Sequence, residues 1–192
     1  MIELRRGDEM ALTRDDGTSL GKLTMGVGWD KKPGAGALSG SNTPDVDLDA
    51  SAIQYAGDQL FDLAFFNHLE TRDGAVVHLG DNISGRGEGD DEQITIDLAA
   101  VYPRVDTMLF LVSSYQGHSL EWVRNAYCRL ADEHGEEIAR FTLTEGVPRT
   151  GFMLAKMFRD LDAADGWRLR AIGQGIAVTV PTESLGVLHR FL

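Results

Sequence analysis

The chain has 192 residues, 43% of them hydrophobic and 25% charged, enough for one sizeable core and typical of a soluble globular protein. Thirty Asp and Glu against eighteen Lys and Arg leave a net charge of −12, which opposes binding to nucleic acid or anionic lipid and favours cations. The single cysteine, Cys128, excludes an intrachain disulfide and fits a reducing compartment. With no apolar leader before residue 25 and no run near the ~20 apolar residues of a membrane span, the expectation is a soluble, cytoplasmic protein.

Residues 1–20 are mixed and polar, with a turn at Asp16-Gly17. Leu23, Met25, Val27 and Trp29 then alternate with Lys22, Thr24, Gly26 and Gly28, which predicts a strand ending at Asp30. Residues 31–44, rich in Gly, Pro and Ser, read as a long mobile loop. Asp45, Asp47 and Asp49 alternate with Val46, Leu48 and Ala50, the pattern of a strand with one wet and one buried face. A rise of roughly 3.3 Å per residue sets Asp47 and Asp49 about 6–7 Å apart on one face, a span that suits one shared cation. That strand runs to Tyr55 and is followed by a turn at Gly57-Asp58. A further strand over 61–66 leads into Asn67, and Arg72-Asp73-Gly74 marks a hairpin.

Strands are expected at 75–79 and 93–98, so residues 80–92 form a loop held at both ends. Residues 108–113, apolar on both faces, read as a central strand. A short helical turn over 119–125 precedes strands at 126–131 and 137–143. Residues 152–160 fit a helix or a strand; the turn at Asp165-Gly166 and the clear alternation of 167–172 favour the strand. Gly173-Gln174-Gly175 reads as a bulge or tight turn and residues 182–192 as a short helix. Many short strands between Gly/Asp turns predict a mainly all-β protein, an antiparallel β-sandwich with a few short helices, in one domain over 1–192.

The chemistry concentrates in residues 80–92, which hold five acids, Asn82, Ser84 and four glycines against a single Arg86. Carboxylates this crowded repel unless a cation joins them, and glycines let a loop turn its carbonyls toward a Ca²⁺ ion. The pattern is not an EF-hand: Ala50 and Ala56 stand where the 45–56 window needs Gly and Glu, and Ile83, Gly85 and Arg86 break the 81–92 window. A calcium β-helix would need tandem repeats of Gly85-x-Gly87-x-Gly89-Asp90, which occurs once. His68, His78, His118, His134 and His189 lack zinc-ligand pairing, and no nucleophile elbow or phosphate loop is present. Cys128 reads as a small apolar side chain turned into the core.

Gly26-Val27-Gly28-Trp29-Asp30, residues 45–51, residues 80–92, Val123-Arg124-Asn125-Ala126 and Ala171-Ile172-Gly173-Gln174-Gly175 resemble, in order, the successive signatures of the TerD family of tellurium-resistance and stress-response proteins. The resemblance spans about residues 26–175 and implies a calcium-binding β-sandwich without a known catalytic activity. The 31–44 segment is longer than the family pattern, and the tail beyond Gly175 reads differently. The expected ligands of the glycine-loop site lie among Asp81, Asn82, Glu88, Asp90, Asp91 and Glu92, with Gly85 supplying backbone. Asp30, Asp47, Asp49 and Asn67 form or share a neighbouring site, so two Ca²⁺ ions are expected, with Asp45 outside the ligand shell. Other stress-response proteins are the expected partners. Two alternatives stay open: a Mg²⁺- or Ca²⁺-dependent enzyme acting on a phosphoester, and a calcium-dependent ligand-binding sandwich. The first lacks a cluster of basic residues beside the acids and an evident base.

Overall fold

Twelve strands, among the described residues, arrange into two six-stranded sheets. The computed structural model describes residues 2–14, 16–31, 46–82, 89–142, 147–160 and 166–192. One sheet has the order β1 (Ile2–Glu3), β10 (Glu137–Thr142), β9 (Val123–Asp132), β3 (Lys22–Lys31), β7 (Glu92–Asp97), β6 (Val76–His78). It is mixed, because β1 pairs parallel to β10 and every other pair is antiparallel. The other sheet is antiparallel throughout, in the order β2 (Glu9–Ala11), β12 (Trp167–Ile176), β11 (Gly151–Arg159), β8 (Thr107–Ser113), β4 (Asp49–Ala56), β5 (Gln59–Ala64).

The alternation read in β3 is the alternation of burial. Leu23, Met25, Val27 and Trp29 are each 3% exposed or less and join Ile94 and Ile96 of β7 and Leu130 of β9 on the inner face. They pack on Ala50, Ala52, Phe110, Leu154 and Leu169 of the opposite sheet. Each fully buried large side chain of this kind contributes about 1.5–3 kcal/mol before chain entropy is subtracted. Cys128 is half-buried against this core. Burial first, and the Asp90 charge second, push its thiol up to about 12, so it packs as a small apolar group.

Several details differ from the sequence reading. Over its described part the predicted 45–55 strand has no wet face: residues 46–55 are buried throughout. The cause is position, since β4 lies between β5 and β8. The face opposite the main core forms a second apolar cluster of Ile53, Tyr55, Leu109, Leu111, Met153 and Ile176 under Val178 and Leu188 of the C-terminal segment. The tail predicted as one helix is a four-residue helix α1 (Leu185–Leu188) between two 3₁₀ turns, Pro181–Glu183 and His189–Phe191. Residues 1–20, read as mixed and polar with a turn, also supply the edge strands β1 and β2. The turn expected over 119–125 is a 3₁₀ turn, Leu120–Trp122, with Ser119 Oγ accepting from the Glu121 amide, and β9 begins directly after it. The 152–160 segment is the strand β11, and its register against β12 shifts between Met153 and Ala155, so Ile172 and Gly173 form a bulge. The 32–45 stretch, including Asp45, and the Asp165 half of the predicted turn lie outside the described residues.

Candidate metal centre

Three chain segments meet where β4 begins, β6 ends and β7 begins. Trp29 of β3 donates its indole Nε1–H to the Val46 carbonyl at 3.0 Å, which fixes the chain entering β4. One residue on, Asp47 is 7% exposed, and Asp49, the first residue of β4, is 3% exposed. Asp81 follows β6 and is exposed. One carboxylate oxygen from each of Asp47, Asp49 and Asp81 lies within 4.8 Å of the other two.

These carboxylates are poorly compensated. Asp49 Oδ2 accepts from the Tyr115 amide at 3.1 Å, whereas Asp47 Oδ1 is buried with no hydrogen-bond partner among the described residues. Burial first, then the Asp81 and Glu92 charges, push Asp47 up to about 6. Burial, then Asp47 and Glu92, push Asp49 up to about 7 against the opposing Tyr115 bond. An unpartnered, desolvated carboxylate in a ring of like charges costs several kcal/mol unless a proton or a cation joins it. The donors are all oxygen, which suits a hard divalent cation.

Glu92, the first residue of β7, has a fully buried side chain beside this group. Its Oε2 accepts from the Ala50 amide at 2.6 Å and lies 3.3 Å from His78 Nε2; its Oε1 accepts from the Asn82 amide at 3.4 Å. Burial raises the Glu92 pKa, the nearby His78 ring and the bonds from Ala50 and Asn82 notwithstanding.

The remaining acids, adjacent in sequence, separate in space. Asp91 Oδ2 accepts from the Trp29 amide at 2.8 Å, its Oδ1 from Asn82 Nδ2 at 3.1 Å, and its own amide donates to the Val27 carbonyl at 2.8 Å. Burial, and then the neighbouring charges of Asp30 and Asp90, raise its pKa. Asp30 accepts from Asn125 Nδ2 at 2.7 Å, and Asn125 holds φ +52, a conformation that Asn tolerates better than most residues. Asp90 turns elsewhere: Arg129 Nε and Nη2 donate to it at 2.7 and 2.8 Å, Tyr127 OH at 3.1 Å and Gln93 Nε2 at 2.9 Å. Burial works to raise its pKa, but these bonds prevail and hold it below the usual carboxylate range.

That arrangement explains the glycines of β3. A Cβ on Gly26 would sit 2.1 Å from Asp90 Oδ2, and one on Gly28 would sit 2.6 Å from the Tyr127 ring, so only Gly fits either position. Asn67 is exposed in the turn after β5. Its neighbour Phe66 meets the Tyr115 ring at 5.3 Å, so the turn lies at the Asp49 end of the site. Gly85 and Glu88 lie outside the described residues. The sequence reading missed His78, Trp29, Tyr115 and Arg129 as partners of the acids. Only Trp29, inside a quoted signature, carried any signal.

Comparison with known proteins identifies the family. A model of the TerD domain matches residues 1–182, extending the resemblance to both edge strands β1 and β2. The chain is 37% identical over 177 aligned residues to tellurium resistance protein TerZ of Serratia marcescens, covering 90% of this chain and 89% of that one. It is 33% identical over 204 aligned positions to stress response protein SCP2 of Bacillus subtilis (strain 168), covering 100% and 99%. The crystal structure of a telluride resistance protein homologue from Streptomyces coelicolor A3(2) superposes with a TM-score of 0.71 at 20% identity, covering 87% of this chain and 96% of that one, and shares its fold. The chain therefore belongs to the TerD domain family, whose members similar to it carry tellurium-resistance and stress-response names.

Proposed function

We propose that this chain is a non-catalytic calcium-binding protein of the tellurite-resistance and stress-response type, working as one TerD domain in the cytoplasm with other stress-response proteins as partners. The observation that carries the reading is the Asp47–Asp49–Asp81 group, two of whose carboxylates are buried, one with an oxygen that nothing in the described protein satisfies. Asp47, Asp49 and Asp81 are the proposed first ligands, with Gly85 and Glu88 of the 80–92 loop and Asn67 supplying further oxygens. Asp30 and Asp91, with Asn82 between Asp91 and Glu92, are the proposed acids of a second ion.

Ca²⁺ is preferred over Mg²⁺ on general grounds. An irregular ring of carboxylates, backbone and amide oxygens tolerates the long, variable distances of Ca²⁺ better than the tight octahedron of Mg²⁺. The phosphoester reading needs a positive group for the phosphate, and Arg129, which reaches the acidic segment, is committed to Asp90. Calorimetric titration of demetallated protein with Ca²⁺ in millimolar Mg²⁺ tests the proposal. Binding should persist in the wild type and weaken at least about tenfold in Asp49→Asn, a loss of about 1.4 kcal/mol or more. Equal displacement by Mg²⁺, or unaltered binding in the variant, would reject it.

A further inference from the structure

Glu92 stands among the acids that the sequence marks as ligands, yet its contacts are those of a tether. Both its oxygens accept from backbone amides, Oε2 from Ala50 and Oε1 from Asn82, and Oε2 also faces His78 Nε2 at 3.3 Å. Among the described residues, the carboxylate oxygens that converge within 4.8 Å belong to Asp47, Asp49 and Asp81. Ala50 is the chain neighbour of Asp49, and Asn82 that of Asp81. Glu92 thus grips, from a third segment, the two backbones that carry two of the converging carboxylates.

His78 in turn holds Glu92. Its side chain is fully buried, and its Nδ1 accepts from the Gly80 amide at 3.2 Å. A nitrogen that accepts carries no proton, so the ring proton is left on Nε2, the atom that faces Glu92 Oε2 at 3.3 Å. The contact lies off hydrogen-bond alignment, so its attraction is electrostatic. Gly80, at φ +130, adopts a conformation few other residues accept, and this brings its amide back onto the ring two residues earlier.

We propose that His78 and Glu92 are positioning residues of the cation site: Glu92 binds the backbones of residues 50 and 82 and so sets the spacing of Asp49 and Asp81, and His78 keeps the Glu92 carboxylate turned to that task and off the ion. The inference rests on the metal reading above and adds that one of the acids drawn in by sequence is not a ligand. Partners that orient ligands without touching the ion typically govern affinity by 10- to 100-fold.

Terbium luminescence on the full chain separates the possibilities, because Tb³⁺ substitutes for Ca²⁺ and its lifetimes in H₂O and D₂O count the waters on the ion. Glu92→Gln and His78→Leu should raise the terbium dissociation constant about tenfold or more with the water count unchanged, and His78→Gln, which keeps an N–H toward Glu92, should stay within about threefold of wild type. One additional water in Glu92→Gln would make Glu92 a ligand and overturn the assignment. A lowered melting temperature with unchanged dissociation constants would make the pair merely structural and overturn it equally. Should His78→Leu fail to fold, the two Gln variants still decide. No terbium bound to the wild type would instead reject the metal reading itself.

Discussion

At the scale of single residues, two buried carboxylates from different segments do opposite things. Asp90 carries a fully buried side chain whose charge Arg129 matches in a two-point pair, while Asp49 is buried among like charges. Replacing each by Asn therefore has opposite effects on the metal-free fold. Asp90→Asn strands the Arg129 charge and should lower stability by about 3 kcal/mol, the usual cost of removing one partner of a buried pair. Asp49→Asn removes a repulsion and should raise the stability of demetallated protein while weakening cation binding. Denaturant melts of both variants in chelator check the contrast, and loss of stability in both would contradict it. Gly26→Ala belongs with Asp90→Asn, because the added methyl would occupy the space of the Asp90 carboxylate. It should destabilise by a comparable amount.

At the scale of elements, β4 is the strand on which the rest converges, buried on one face by the main core and on the other by the C-terminal segment. Leu188, fully buried in that second cluster, lies on the four-residue helix α1, too short to be stable alone. The helix is held by packing. Leu188→Ala should cost about 2–5 kcal/mol, as large-to-small changes in cores do, read as a shifted denaturant midpoint with calcium affinity nearly unchanged. Much at this scale was legible, because strands such as β3 and β7 bury alternate residues and alternation survives in sequence. The second face of β4 was not, since Asp47, Asp49 and Ser51 look like a wet face, whereas they are buried and the same face continues in Ile53 and Tyr55 under Val178 and Leu188, more than 120 positions away. The site was legible as composition, an excess of acids around glycines. Its grouping was not, because the chain bends at Asp91 before β7 begins at Glu92, and the side chains of Asp90, Asp91 and Glu92 diverge toward Arg129, toward the Trp29 amide and toward Ala50. Which acids share a site is decided by sheet order, and sheet order pairs segments far apart in the chain.

At the scale of the whole molecule, the site ties stability to pH and to cations in one direction. Asp47 and Asp49 have folded pKa values of about 6 and about 7 against ordinary values of 3.8. The metal-free native state therefore holds more protons than the unfolded chain between about pH 4 and pH 7. Stability contributed by these protons is fully present below the unfolded value and is lost as pH rises through the folded one. One pKa unit corresponds to about 1.4 kcal/mol, so Asp49 alone would cost metal-free protein on the order of 4 kcal/mol at neutral pH relative to mild acid. Other carboxylates run the opposite way: Asp90 and Asp73 have lowered values, and their contribution fades as pH falls through them. The net profile in chelator should peak in mild acid and decline toward pH 7. Calcium replaces the protons and reverses that decline. At 100 times its dissociation constant it should add about 2.7 kcal/mol per site, which for a chain of this size raises the melting temperature by roughly 5–10 °C. The increment should be large at pH 7.5 and shrink toward pH 5, where protons hold the ligands. Melting curves across that range, with calcium and with chelator, measure it directly. An increment that is absent at pH 7.5, or that grows toward acid, would show that the buried carboxylates and the cation do not share one site.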